Sequence, residues 1–234
     1  MKLFRISCIA VICGAMLVGE TGCGSMTNTG KGSLIGGGAG AGAGAGIGAL
    51  IGGGKGAAIG AAVGAAVGAG AGALIGNKMD RQQRELQQQL ADQATVEETT
   101  DSNGLRAIKV TFEGGILFAT GKSVLSAQAE ANLTRFAQSL VANPNTNVNI
   151  YGYTDNTGSY QANERVSTAR ANAVMAFLTN KGVASSRVAA QGIPMADYVA
   201  SNDTAEGRAQ NRRVEIYISA DEEMIRQAEA GTLQ

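Results

Sequence analysis

Val148-Asn149-Ile150-Tyr151-Gly152-Tyr153-Thr154-Asp155-Asn156-Thr157-Gly158-Ser159-Tyr160 is the stretch whose reading decides the fold. Val148 and Ile150 alternate with polar residues and mark a strand. Thr154 to Gly158 places a carboxylate in a loop between that strand and a helix. The helix runs from Tyr160 to Lys181 and is ended by Gly182. Val166, Ala173, Val174 and Phe177 define its apolar face. Counting 100° per residue, Asn163, Ser167 and Arg170 project within about 100° of that face. An arginine therefore sits on or beside the buried side, near the start of the helix, and arginine is almost never buried unpaired. Two readings stay open. Asp155 and Arg170 form a structural ion pair, or they flank a cleft in which each charge takes one end of a zwitterion.

The flanking sequence completes a sheet covered by helices. Upstream, Ile108, Val110 and Phe112 alternate with polar residues, a strand signal. Ile116 to Gly121 is a short apolar run into a loop. Ser126 can cap a helix with a core stripe of Ala129, Leu133, Phe136 and Leu140. Asn143-Pro144-Asn145 stops it. Downstream, Val188 to Gln191 is a short strand, and Val214, Ile216 and Ile218 form the last one. This order implies an α/β (α+β) domain over residues 105–220, with helices packed on a mixed β-sheet. A C-terminal tail over 221–234 follows.

N-terminal to the domain, residues 77–104 read as a polar helical linker. Met79, Leu86 and Leu90 give it one thin apolar stripe, and Thr99 to Gly104 is a polar loop. Before the linker, a glycine falls at every fourth position from Gly32 to Gly76. Small residues at this spacing let helices approach closely. One unbroken helix would be about 67 Å long, too long for a bilayer. A break at Gly52-Gly53-Gly54-Lys55-Gly56 leaves halves of about 30 Å, so residues 33–76 are expected to form a membrane-associated glycine-zipper hairpin that could support a homo-oligomer. Two alternatives compete. Each glycine costs about 1 kcal/mol of helix propensity, so the segment could be a flexible tether. The Gly-Ala alternation from Gly38 to Gly46 also has a silk-like period of two.

Residues 1–22 have the pattern of a signal peptide: Lys2 and Arg5, then a mostly apolar run from Ile6 to Val18. Thr21-Gly22-Cys23 resembles a bacterial lipobox, with Cys23 as the lipidated N-terminus of the mature chain and residues 23–32 as a short linker. Glu20 stands where that motif wants an apolar residue, so ordinary signal-peptidase cleavage is the alternative.

Composition narrows the chemistry. The chain has 234 residues, formal net charge zero and no histidine. A nucleic-acid partner has no electrostatic support. The commonest general base and the commonest metal ligand are both missing. All three cysteines lie in the first 23 residues, so the domain has no disulfide, thiolate zinc site or cysteine nucleophile. No catalytic residue, metal site or cofactor is expected. Nor does residue range 24–98 carry the alternating ten-residue segments of an outer-membrane barrel.

Three blocks in order give the domain a family resemblance: Thr154-Asp155-Asn156-Thr157-Gly158-Ser159; then Asn163, Ser167 and Arg170-Ala171; then Gly207-Arg208-Ala209-Gln210-Asn211-Arg212-Arg213-Val214-Glu215. From about Gly115 to Ser219 the chain resembles the OmpA C-terminal, peptidoglycan-associating family. With lipobox and glycine zipper ahead, the layout resembles YiaD-type outer-membrane lipoproteins. The resemblance implies non-covalent binding of peptidoglycan, with Asp155 and Arg170 gripping the diaminopimelate of the stem peptide. Asp155 would take the ammonium and Arg170 a carboxylate. It further implies contacts from Thr157 and Asn163, backbone N–H help from the Ala119–Thr120 loop, and support from Asn211, Arg212 and Arg213. Ala119 stands where the family often has Asp, and Tyr153 replaces the usual His. The implied location is the outer membrane, lipid-anchored, with the domain in the periplasm. Two other functions compete: a membrane-active or pore-forming glycine zipper anchored by the domain, and an enzyme acting on the wall, which the lack of an acid–base pair disfavours.

Overall fold

A computed structural model describes residues 67–119 and 121–234. Cys23, the signal peptide, the proposed break at 52–56, most of the glycine ladder and Thr120 lie outside the described residues.

Five strands form one mixed sheet in the order β1-β2-β5-β3-β4. They are β1 (Thr95–Thr100), β2 (Arg106–Glu113), β3 (Thr146–Tyr153), β4 (Val188–Ile193) and β5 (Arg213–Ala220). β3 and β4 run parallel, and the other neighbours are antiparallel. Alternation puts every second residue on one face, and the register aligns these into rows. Ile108, Ile218, Val148 and Val188 make one row; Val110, Ile216, Ile150 and Ala190 the next; Phe112, Val214, Gly152 and Gly192 the third. The third row therefore shrinks from a phenylalanine at β2 to no side chain at β3 and β4.

That taper seats the long helix. Ahead of it come α1 (Ala69–Leu90), the short α2 (Gly114–Leu117) and α3 (Ala127–Ala142); the long helix itself is α4 (Tyr160–Asn180). A Cβ on Gly152 would lie 2.3 Å from the Ser167 carbonyl oxygen, and one on Gly192 would lie 2.5 Å from the Ser167 hydroxyl and the Thr168 nitrogen. The α4 backbone thus rests directly on the sheet at Ser167. This contact rotates the helix relative to its apolar pattern. The buried side is Asn163, Ser167, Arg170, Ala171, Val174 and Leu178, whereas Val166, Ala173 and Phe177 are only partly buried. Ser159 caps the helix by accepting from Ala162 N at 3.3 Å, and Ser126 caps α3 as expected, accepting from Ala129 N at 3.0 Å.

Two boundaries differ from the sequence expectation. Residues 77–104 are not a solvated linker. The helix α1 begins inside the glycine ladder at Ala69 and runs unbroken to Leu90. Ile75, Met79, Leu86 and Leu90 are all fully buried in the common core. Thr95–Thr100 then pairs with β2 as an edge strand. The thin stripe of Met79, Leu86 and Leu90 is a core face, because Ile75 and the aliphatic part of Gln82 widen it; Gln82 is 1% exposed. Arg106 of β2 ties the helix down with a 2.9 Å ion pair to Asp80 and a second one to Glu98. The 221–234 tail is likewise structured. It forms α6 (Glu222–Glu229), following α5 (Ala205–Asn211) and β5. Met224 and Ala228 of α6 are buried in the same core as α1.

Candidate functional site

The antiparallel course of β3 and α4 brings the end of one and the start of the other together, so the connecting loop and the first turns of α4 share one end of the sheet. There Asp155 lies 6% exposed, just past β3. Its Oδ1 accepts from Thr157 N at 2.9 Å, closing a small side-chain turn. Its Oδ2 accepts from Arg212 Nη1 at 2.5 Å. Burial pushes the Asp155 pKa up, but the Thr157 N–H and the Arg212 guanidinium outweigh it and hold the carboxyl below its usual range. Asn163, one turn into α4, donates to Thr157 O at 2.8 Å and to Ser159 O at 3.1 Å. The loop's shape is thus fixed from both ends.

Arg170 is 4% exposed. Its Nε donates to the Lys122 carbonyl at 3.0 Å, and its guanidinium carbon sits 5.2 Å from the centre of the Phe118 ring. Among the described residues it makes no other hydrogen bond, so both terminal nitrogens keep their donors. Burial chiefly lowers its pKa, Arg212 lowers it further and Asp155 opposes the shift; the guanidinium stays charged. The structural alternative raised by the sequence, a closed Asp155–Arg170 ion pair, is not what forms. Asp155 pairs with Arg212 instead, and Arg170 stands near both.

The C-terminal block divides its labour. Arg212 reaches the site, with its side chain 35% exposed. Arg213, the first residue of β5, is 4% exposed. Its Nε donates to Glu215 Oε1 at 2.7 Å, Nη2 to the Asp197 carbonyl at 2.9 Å, and its guanidinium stacks 3.9 Å from the Tyr153 ring centre. Asn211 is fully buried and accepts from Val199 N and Ala200 N while donating to Ala200 O and Asn202 Oδ1. Asn202 Oδ1 in turn accepts from Asn156 N at 3.3 Å. Arg213 and Asn211 are therefore scaffold, and Asn211 props the Asp155 loop from behind. Ala119 is exposed on the 118–122 turn, where Lys122 N donates to Ala119 O at 3.0 Å. Arg170 holds that turn through Lys122. The α2 end is pinned by Gly114 N donating to Arg212 O at 2.6 Å.

Sequence reasoning missed Arg212 as the partner of Asp155. Chemically, one carboxylate between two guanidiniums, one of them with unspent donors, can receive an ammonium and a carboxylate at once. Among the described residues no group of three or more His, Cys, Asp or Glu side chains is placed to hold a metal.

Comparison with known proteins follows the same division of the chain. Residues 117–212 match the OmpA family model, and residues 1–80 match the YMGG-like Gly-zipper. A protein of Escherichia coli (strain K12) named "Probable lipoprotein YiaD" is 42% identical over 112 residues, 48% of this chain and 51% of that protein. Peptidoglycan-binding protein ArfA of Mycobacterium tuberculosis (strain H37Rv) is 44% identical over 114 residues, 48% of this chain and 35% of its own length. The chain thus spans about half the length of the first relative and about a third of the second. Among solved structures, the cell wall anchor of the T6SS from Pseudomonas aeruginosa superposes with a TM-score of 0.51 at 31% identity, over 58% of this chain and 97% of that one.

Proposed function

With an OmpA family domain over residues 117–212 as the premise, we propose that this chain holds peptidoglycan non-covalently and tethers the outer membrane to the cell wall. The observation that carries the reading is Arg170: a buried guanidinium whose terminal donors are unspent among the described residues, beside a carboxylate that is already ionised. Such an arrangement stores recognition capacity for a zwitterion. The ligand end it suits is the free ammonium and carboxylate of the diaminopimelate in the stem peptide. Asp155 receives the ammonium on the lone pairs left beside Thr157 N and Arg212. Arg170 receives the carboxylate. Thr157 and Asn163 shape the loop, and Ala119 offers a backbone donor. Two relatives support the wall as partner, since one is named a peptidoglycan-binding protein and one solved neighbour a cell wall anchor.

At the other end of the chain, lipidation at Cys23 and membrane association of the part of the glycine ladder that precedes α1 supply the second attachment. One acyl chain binds membranes only marginally, so two membrane contacts make a firmer tether than either alone. Cosedimentation of the full chain with purified peptidoglycan tests the wall half. Wild type pellets with the sacculi, while Asp155→Ala and Arg170→Ala stay in the supernatant. Pelleting of both variants at the wild-type level would sink the reading.

A further inference from the structure

Tyr160 occupies an odd position on α4. It precedes Ser167 by seven residues and Ala171 by eleven, so its side chain projects within about 20° of both. Ser167 and Ala171 are fully buried, yet Tyr160 is 56% exposed. The cause is the crossing point. The helix rests on Gly152 and Gly192 through Ser167 and Thr168, and the seven residues before Ser167 carry the helix about 10 Å past that contact. The aromatic ring points toward the core side of the helix at a level where the sheet has ended.

What lies at that level is the Asp155 loop. Asn163 is one turn from Tyr160 on the same side of the helix, and its amide donates to Thr157 O in the Asp155 loop. Val124, 77% exposed, follows Lys122, whose carbonyl receives Arg170. Single exposed apolar residues are ordinary. Tyr160 differs in lying on the buried stripe of its helix, one turn from Asn163 and next to the Asp155 loop.

We infer that Tyr160 is a specificity residue, an aromatic platform that packs on the aliphatic part of the stem peptide leading away from the zwitterionic head. The inference rests on the wall-binding reading. A stem peptide offers methylenes of the diamino acid and neighbouring alanyl methyls, and an uncovered phenol ring matches these with area and a polar tip. Charged groups then select the head, and Tyr160 distinguishes a head that is part of a peptide from the free amino acid.

Equilibrium dialysis of the full chain against two probes tests this. One is free diaminopimelate, and the other a soluble muropeptide whose tripeptide stem ends in diaminopimelate. Tyr160→Ala is expected to lose about tenfold in affinity for the muropeptide, the size of a lost aromatic packing contact, and to bind free diaminopimelate like wild type. Tyr160→Phe keeps both affinities. Unchanged muropeptide binding by Tyr160→Ala, or equal losses for the two probes, overturns the platform. Asp155→Ala separates the two levels: loss of both probes upholds the wall site whatever Tyr160 does, and wild-type binding of both refutes that site itself.

Discussion

Arg212 and Arg213 are adjacent in the chain and live in opposite worlds. Arg213 is enclosed, stacked on Tyr153, paired with Glu215 and bonded to the Asp197 carbonyl, with each part of its guanidinium spoken for. Arg212, one residue earlier and between α5 and β5, keeps a third of its side chain in solvent and spends one nitrogen on Asp155. Arg170 combines the two conditions: buried like Arg213, but with its terminal donors unspent among the described residues like those of a ligand site. The difference teaches how to tell scaffold charge from binding charge. Burial alone does not decide it. Saturation does.

The largest test of that distinction is Arg213→Ala. It leaves Glu215, 5% exposed, without its countercharge, which costs about 3–5 kcal/mol. Thermal unfolding should fall by about 10 °C for a domain of this size. A shift under a few degrees would erase the contrast with Arg212, whose replacement by alanine frees a carboxylate held partly by the Thr157 N–H.

Asp101 supplies a buried carboxylate with no countercharge among its contacts. It closes the β1–β2 turn, its Oδ1 accepting from Asn103 N and Leu105 N. Burial outweighs those hydrogen bonds and raises its pKa from 3.8 to about 6. The folded form therefore holds the proton more tightly than the unfolded chain. Stability from this group is full below pH about 4 and is lost as pH rises through about 6, roughly 3 kcal/mol in all. Asp101→Asn keeps the acceptor and removes the titration. Urea unfolding at pH 4 and pH 7 should show the variant gaining on wild type at the higher pH, and parallel curves would place the saturated and unsaturated carboxylates in one class.

At the site itself the expected effect falls on binding. Asp155→Ala and Arg170→Ala each remove a charge-assisted contact of about 1.5–3 kcal/mol, one to two decades in affinity for peptidoglycan. Their melting temperatures should stay closer to wild type than that of Arg213→Ala. A reversed order would make Arg170 scaffold.

The smallest effect sharpens the rule from the apolar side. Gln82 on α1 is buried, with both amide heteroatoms unpaired among the described residues. Gln82→Leu should raise stability by about 1 kcal/mol, measured by chemical denaturation.

Much of this was written plainly in the chain. The period-two patterns of β2, β3 and β5 predict their strands, and Thr154 to Gly158 with Asn163 and Arg170 predict the loop and helix of the site. What failed did so for physical reasons. The α1 stripe is interrupted by Gln82 and begins inside the glycine ladder at Ile75, so it reads as thin and solvated. Thr95-Val96-Glu97-Glu98-Thr99-Thr100 lacks apolar alternation because an edge strand needs only one paired side, and β2 supplies it. The face of α4 is set by two glycines on other strands, which no pattern within the helix encodes. Arg212 joins α5 to β5, and only the placement of those two elements brings it to Asp155.

The unbroken run of α1 also has a mechanical meaning. Its 22 residues occupy about 33 Å as a helix and would reach about 75 Å if pulled straight. Docked, they act as a strut of set length that passes load from residue 68 into the sheet through the Asp80–Arg106–Glu98 clasp. The difference between the two lengths is about 40 Å. A pull on residue 68 therefore meets the buried side chains of α1 and this clasp before it reaches the rest of the sheet.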